Sequence, residues 1–598
     1  MSAEVSPGTR ATIGGALRTA TGLLRARWCA VFVAMLCVQG ALVWTMPFLA
    51  ALVRWTLRTI DIHGVNVYTV DDVATSPLAV LVLLGIAAVA TILVLAEVTL
   101  FAVIGHLTLE GEPVTFTSVL RRSRTTARKA ASWQGLLLIP YLTVLLPISE
   151  VGFSSVLTQH IALPKFISGE LLKTTSGTVL YVVVLGTVVY AMLRFLLFPA
   201  IVASGDDTIV QALGRSFRMT TWRPLLGFGA VMLATLLVAH VILVLLGGVG
   251  LLPVAWAGTH TAAGVVLGLL ELAQFVAAGA AAAFVAFFFV AYVRLIQDDP
   301  VKVPPTRRAS RRTRVVSVGL VVLAVFFATP RVVAAVDAAD LAAEASPEII
   351  GHRGYPAQAV ENSVAGLRAA AGAGADLVET DIQETRDGGL VVMHDVGLGR
   401  LTEDDRNVYE LTEPEVTSLT LQQDGRTAPI PTLAEFVREA DAQGVRLLVE
   451  LKPHGQEQPG FARRVVEELD RLDPDHTHMI QSLDQELIEE IAHLDPDRST
   501  AYVVGFQIGN LPATTSGGAV VIEDWSFQER MLVEADAQGR DLYVWTVNDV
   551  GALSDYLARG VDGVITDEVT RAVVTKERLA SGPVVLYLER ARGLVAIG

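Results

Sequence analysis

Seven stretches of this chain are apolar over roughly 20 residues or more, the length a helix needs to cross the ~30 Å hydrocarbon core of a bilayer. They fall at 30–53, 78–105, 134–157, 179–203, 225–253, 262–294 and 314–336. Because lipid offers backbone groups no hydrogen-bonding partner, runs of this length and character fold as helices. The third is the weakest, interrupted by Pro140, Pro147 and Glu150. The reading is an all-α multispan membrane domain over 30–336, of about seven helices, preceded by an N-terminal segment 1–29. The run over 28–53 is too long for the apolar region of a signal peptide and has no clear cleavage site after it, so it is read as a retained span.

Orientation follows from where the basic residues sit in the short connections. Arg10, Arg18, Arg25 and Arg27 precede the first span. Arg121, Arg122, Arg124, Arg128 and Lys129 lie between the second and third, and Arg215, Arg218 and Arg223 between the fourth and fifth. Lys302, Arg307, Arg308, Arg311, Arg312 and Arg314 lie between the sixth and seventh. These are alternate connections, so they share one side of the membrane, and the pattern makes the N-terminus cytoplasmic. After seven spans the remainder of the chain faces outward. Glu97, Arg194, His240 and Glu271 lie inside spans, where charge is costly. They line either a polar cavity or an interhelical contact made by one Arg–Glu pair, and packing is the expectation. The Gly/Ala-rich stretch 276–285 likewise reads as close helix packing.

Past a linker at 337–346 the character of the chain changes. Residues 1–345 carry 25 Lys and Arg against 17 Asp and Glu, a net of +8. Residues 346–598 carry 21 against 44, a net of −23. So acidic a domain repels nucleic acid and suits recruitment of divalent cations. Both cysteines, Cys29 and Cys37, lie at the first span, so no disulfide holds the acidic half together. Short apolar runs of strand length recur at 349–350, 376–382, 390–393, 445–451, 479–482, 500–504, 519–523, 542–547 and 563–566. Helical stretches near 361–373, 432–442, 460–471, 484–493, 526–537, 549–558 and 568–579 separate most of them. Such alternation predicts a parallel sheet, and over about 230 residues, 347–580, a (β/α)8 TIM barrel. A doubly wound open sheet is the runner-up, without a G-x-G-x-x-G after the first strand to support it. Residues 581–598 read as a C-terminal tail.

Catalytic groups of a barrel gather at the C-terminal ends of its strands, and the reactive residues of this half have that placement. Gly351-His352-Arg353-Gly354 closes the first run, Glu379-Thr380-Asp381 lies along the second, His394-Asp395 closes the third, and Glu450-Leu451-Lys452 the next. Residues two apart on a strand face the same side. Glu379 and Asp381 can therefore share one hard cation, with Glu450 from a neighbouring strand completing an oxygen-rich metal site suited to Mg2+ or Ca2+. No H-E-x-x-H or Cys/His cluster of zinc type is present.

These motifs, taken in order with Glu361-Asn362-Ser363, Asp387-Gly388-Gly389, Ile430-Pro431-Thr432-Leu433, Trp545-Thr546-Val547-Asn548 and the run Gly560 to Asp567, resemble glycerophosphodiester phosphodiesterases. The likeness spans nearly all of 347–575, and the long apolar half resembles bacterial members with an integral-membrane region. Ser363 stands where the family has Thr. The resemblance implies that His352 and His394 are the acid/base pair of a phosphodiester hydrolysis, in an order that spacing does not decide. It also implies that a free glycerol hydroxyl attacks phosphorus through a cyclic phosphate. Arg353 can grip phosphate oxygens in bidentate fashion and Lys452 adds a point charge. Trp545 lines the substrate pocket by similarity or packs the rim. Glu361 either orients the site or favours the positive end of a helix. His454, His476, His478 and His493 read as surface residues.

The resulting expectation is a metal-dependent hydrolase of glycerophosphodiesters, anchored in the lipid bilayer with its catalytic domain outside the cell. Two alternatives keep the same site: a lysophospholipase D acting on a lysolipid, and a hydrolase of polyglycerolphosphate polymer. A different class would be a transport or lipid-handling protein with a regulatory barrel. Oligomeric state has no signature in the sequence.

Overall fold

The computed structural model describes residues 9–60, 64–65, 70–138, 175–297, 329–337, 339–340, 346–512, 518–528 and 530–595. The N-terminal half is helical: α1 (Thr9–Thr59), then a two-residue strand β1 (Gly64–Val65), α2 (Pro77–Leu109), α3 (Phe116–Ala130), α4 (Thr175–Arg194), α5 (Phe198–Val202), α6 (Ile209–Met219), α7 (Trp222–Ala257) and α8 (His260–Ile296). Four helices among the described residues are long and apolar enough to cross a bilayer: Thr12–Val38, Thr175–Val202, Trp222–Ala257 and His260–Ile296. The third expected span, 134–157, lies almost wholly outside the described residues, as does the seventh except for 329–336.

Helices pack tightly where small residues let backbones approach. Residues 329–337 are helical and lie against α8 at Gly264 and Gly268, four apart on one face. A Cβ on Gly264 would stand 2.5 Å from the Cα of Val336, and one on Gly268 2.7 Å from that of Val332. In the Gly/Ala-rich stretch, Gly279 makes room for the side chain of Met35 on α1. The Arg194 guanidinium sits 3.7 Å from the centre of the Phe217 ring and donates to the Phe217 carbonyl, and among the described residues it pairs with no carboxylate. The Glu97 side chain lies outside what is described.

Basic residues from separate connections meet at one end of the bundle. Arg294 at the end of α8 pairs with Glu110 at 2.6 Å, and Arg122 of α3 reaches the same carboxylate at 3.1 Å. Arg27 of α1 donates to the Thr108 hydroxyl at 3.2 Å, and Lys129 to the Val202 carbonyl at 3.3 Å. Arg215 pairs with Asp207 nearby.

The C-terminal half begins with β2 (Glu348–Gly351), α9 (Val364–Gly372), β3 (Leu377–Glu384) and β4 (Leu390–Val392). A hairpin of β5 (Thr420–Gln423) and β6 (Arg426–Pro429) precedes α10 (Leu433–Gln443), β7 (Arg446–Leu451), α11 (Phe461–Leu472), β8 (Met479–Ser482) and α12 (Gln485–Leu494). Then come β9 (Thr500–Val504), the short β10 (Ile508–Gly509), β11 (Ala519–Glu523), α13 (Arg530–Ala537), β12 (Asp541–Trp545), α14 (Val550–Arg559), β13 (Gly563–Thr566), α15 (Val569–Ala580) and α16 (Pro583–Val595). The expected tail thus contains a helix.

Eight parallel strands close on themselves in the order β2-β3-β7-β8-β9-β11-β12-β13, with β13 returning to β2. This is the expected (β/α)8 barrel. The run at 390–393 departs from expectation: β4 pairs antiparallel with the end of β3 and is no stave. The turn between them passes through Gly388 at φ +85°, a backbone conformation glycine adopts freely. The helices start where capping chemistry starts them. The Ser363 hydroxyl accepts from the Gly366 N–H at 3.0 Å ahead of α9, Thr432 and Glu435 form a reciprocal capping box on α10, and Asp549 caps α14. Ile350, Leu448, Val503, Val521, Tyr543 and Ile565 fill the barrel interior, while Val378, Leu447, Val520 and Val564 face the surrounding helices. The loop between β4 and β6 has its own small core of Leu398, Leu401, Val408, Leu411 and Leu421.

Candidate active site

Register fixes which residues meet at the barrel mouth. Across β3 and β7, Glu379 stands beside Leu448 and Asp381 beside Glu450; across β7 and β8, Glu450 stands beside Gln481. Glu379, Asp381 and Glu450 are all buried, and each turns an oxygen to within 4.8 Å of the others'. Burial, together with repulsion from Asp381 and Glu450, holds the Glu379 carboxyl well above its ordinary pKa. Asp381 goes the other way. Burial opposes its ionisation, but His394, Lys452 and Arg353 outweigh that and hold it below the usual carboxylate range. Three hard oxygen donors, buried and mutually repelling, fit a divalent cation of the Mg2+ or Ca2+ class.

The cationic residues converge on the same oxygens. Arg353 follows β2 in a left-handed conformation, φ +52°. Its N–H donates to Glu379 at 2.8 Å, its Nη1 to Glu361 at 3.0 Å, and its Nε lies 3.4 Å from Asp381. Burial would lower its pKa, yet the surrounding carboxylates, Asp381 first, raise it, so this guanidinium is permanently charged. The Lys452 ammonium contacts Glu450 and lies 3.3 Å from Asp381. Gln481 donates to the second oxygen of Glu450 at 3.0 Å. Asn362, also at positive φ, donates to Asp381 at 2.8 Å and accepts from the Asp381 N–H at 3.2 Å.

Each of the two expected histidines has a carboxylate on Nδ1. For His352 it is Asp567, at 2.7 Å, just past β13; for His394 it is Asp395, at 2.6 Å. Asn548, three residues beyond β12, donates to the far oxygen of Asp567 at 2.6 Å and accepts its N–H at 2.9 Å. Asp395 contacts Arg400, which also donates to Glu361 at 3.1 Å. Glu361 is 5% exposed and is the hub of this edge, held by Arg353, Arg400 and Gln423. Its carboxylate, two residues ahead of the N-cap Ser363 of α9, is taken up by the two arginines and Gln423. Trp545 ends β12 and packs partly buried against the barrel interior.

The structure therefore brings His352, Arg353, Glu361, Glu379, Asp381, His394, Glu450 and Lys452 to one mouth. Sequence reasoning assigned nothing to Asn362, Asp395, Arg400, Gln423, Gln481, Asn548 or Asp567. Most lie within the motifs quoted above, but their contacts span up to 215 residues and no spacing rule points to them. Two of the remaining histidines are corrected. His478 is 1% exposed and accepts the Leu447 N–H at 3.2 Å, and the His454 side chain is buried beside Tyr409. Both are structural.

Two family models match the chain. The membrane domain of glycerophosphoryl diester phosphodiesterase covers residues 18–328, and the glycerophosphoryl diester phosphodiesterase family covers 352–571. The Bacillus subtilis protein YhdW, whose name carries the same activity, is 29% identical over 229 residues, 37% of this chain and 93% of its own. The glycerophosphodiester phosphodiesterase of Bacillus altitudinis is 25% identical over 244 residues, 39% of this chain and 99% of its own. Among solved structures, a phosphodiesterase from Oleispira antarctica in complex with the product sn-glycerol-3-phosphate is 23% identical, with TM-score 0.35, covering 39% of this chain and 97% of that one.

Proposed function

Because this chain belongs to the glycerophosphoryl diester phosphodiesterase family and is an enzyme of that activity, we propose a specific division of labour at the barrel mouth. The substrate is a glycerophosphodiester, such as a deacylated phospholipid, cleaved to glycerol phosphate and an alcohol. The observation that carries the reading is the convergence of three carboxylates, two cations and two Asp-held histidines on adjoining strand ends.

Glu379, Asp381 and Glu450 would hold a divalent cation, Mg2+ or Ca2+, which when bound neutralises phosphate charge as a Lewis acid. Arg353 and Lys452 bind the non-bridging oxygens, Arg353 by its fork and Lys452 as a point charge. Splitting the ester needs one proton removed from the attacking hydroxyl, of glycerol or water, and one delivered to the departing alkoxide. His352 and His394 supply these two transfers. With Nδ1 engaged by Asp567 or Asp395, each ring keeps Nε2 for the exchange. Glu361 orients Arg353, and Trp545 borders the substrate at the end of β12. Burial of the three carboxylates strengthens the charge interactions made at this site.

The enzyme acts at the outer face of the membrane in this reading. Support comes from the basic residues of alternate connections, which cluster around Glu110 at one bundle end, the end assigned to the cytoplasm by the positive-inside rule. The test is hydrolysis by the full-length protein in proteoliposomes. Release of glycerol phosphate that needs a divalent ion and disappears in both His352→Ala and His394→Ala is expected. Near-normal turnover in both variants would sink the assignment.

A further inference from the structure

The geometry points to a seat for the barrel: α16 docks non-covalently on the α7–α8 hairpin and holds the catalytic mouth toward the bilayer. The inference rests on the membrane reading above and extends it from tethering to fixed pose.

The hairpin is longer than a membrane requires. At 1.5 Å per residue, α7 and α8 of 36 and 37 residues are each roughly 54 Å long, against a hydrocarbon core of ~30 Å. Arg294 places one end of α8 with the basic cluster, so the surplus lies at the tip, where α7 ends on Gly258. That is where α16 lies. The Tyr587 hydroxyl donates to the Gly247 carbonyl at 2.6 Å. It occupies the space beside Gly250, where a Cβ would stand 2.4 Å from the Tyr587 oxygen and 2.6 Å from Val266 of α8. Leu243, Val254, Ala263, Leu267, Tyr587 and Ala591 form one buried cluster. On its other side α16 holds the barrel through ion pairs, Arg590 to Asp555 of α14 at 3.0 Å and Glu589 to Arg578 of α15 at 3.2 Å.

A strand pair gives the pose. Gly64–Val65 lies just beyond the end of α1 that points away from the basic cluster, and it pairs antiparallel with Ile508–Gly509 in the loop leaving the mouth end of β9. The mouth therefore lies on the side of the barrel that meets the membrane surface from which α1 emerges.

The test places a protease site before the exposed Ser346 of the full-length protein in native membranes, with cutting followed on a gel. After cutting, the wild-type barrel fragment is expected to sediment with the membranes. Tyr587→Ala, from the barrel side, and Gly250→Val, from the hairpin side, should each release at least ten times more fragment, still active on a soluble glycerophosphodiester. Release of the wild-type fragment overturns the seat, and so does retention in both variants. An uncut chain found in the supernatant overturns the membrane reading instead. For the pose, Val65→Cys with Ile508→Cys, in a chain whose Cys29 and Cys37 are serine, should form a disulfide under mild oxidation. Failure to cross-link rejects the mouth-down orientation.

Discussion

In the barrel, Glu379, Asp381 and Glu450 are almost inaccessible, whereas in the helical half Val183, Leu237 and Val238 are more than half exposed. Either arrangement would be unfavourable in the other's surroundings. Buried carboxylates cost free energy unless paired or bound to a cation, and contiguous exposed apolar surface costs about 25 cal/mol per Å2 in water. The barrel therefore accepts charge in its interior because chemistry uses it, and the helical half leaves apolar faces outward because lipid is its solvent. The two halves are solutions to two solvents in one chain, and each can be broken by putting the other's residue into it.

The largest effects are expected at the mouth. His352→Ala or His394→Ala should lower kcat on a soluble glycerophosphodiester by about 1,000-fold, within the range of general acid–base catalysis, with the fold and its cooperative melting retained. Equal loss of folding would turn these histidines into structural groups. Chelation by EDTA should also abolish turnover, and added Mg2+ or Ca2+ should both restore it and raise the melting temperature. Glu379→Gln should lose that thermal shift. A full shift in this variant would place the cation elsewhere.

In the helical half the sensitive direction is reversed. Leu237, on α7, is 55% exposed. Leu237→Ala should insert normally, while Leu237→Lys costs roughly 3 kcal/mol in the hydrocarbon core and should reduce the membrane-inserted fraction. Alkaline extraction of membranes reads both. Equal insertion of the two variants would mean that this face of α7 meets water.

How much of this was legible beforehand follows the same division. The barrel's staves could be read because a two-residue repeat and capping chemistry are local. Its one misread stave, 390–393, failed because an antiparallel hairpin partner has the same apolar pattern as a parallel strand. The β5–β6 hairpin carried a usable signal in Asp424-Gly425, both at positive φ, between alternating side chains. Asp567 and Asn548 were invisible, since their link to His352 is made by closure of β13 onto β2. In the helical half, length and apolar character mark out membrane helices, but which helix touches which is set by small-residue contacts such as Gly264 with Val336. Apolar composition does not encode these.

A moderate effect sharpens the division within the barrel itself. Arg400 belongs to the loop between β4 and β6, and serves both Glu361 and Asp395. Arg400→Ala leaves the nearly buried Glu361 with Arg353 and the neutral Gln423, and removing one partner of a buried group costs roughly 2 kcal/mol. A drop in melting temperature together with a tenfold fall in kcat is expected. Loss of stability without loss of turnover would confine Arg400 to the scaffold.

The smallest effect distinguishes the two histidine partners by pH. Asp395 and Asp567 are each opposed by burial but held below the ordinary carboxylate range. The partners are His394 and Arg400 for Asp395, and His352 and Asn548 for Asp567. A carboxyl whose folded pKa is depressed contributes stability that is present above its unfolded value, near 3.9, and is lost as pH falls toward the folded one. Wild-type melting temperature should therefore fall between about pH 5 and pH 3, and each Asp→Asn variant should fall less steeply. The flattening should be greater for Asp395→Asn, because the Arg400 guanidinium touches Asp395 directly, whereas Arg353 acts on Asp567 without touching it. Equal slopes for the two variants would show that Arg400 adds nothing to what the histidine already supplies.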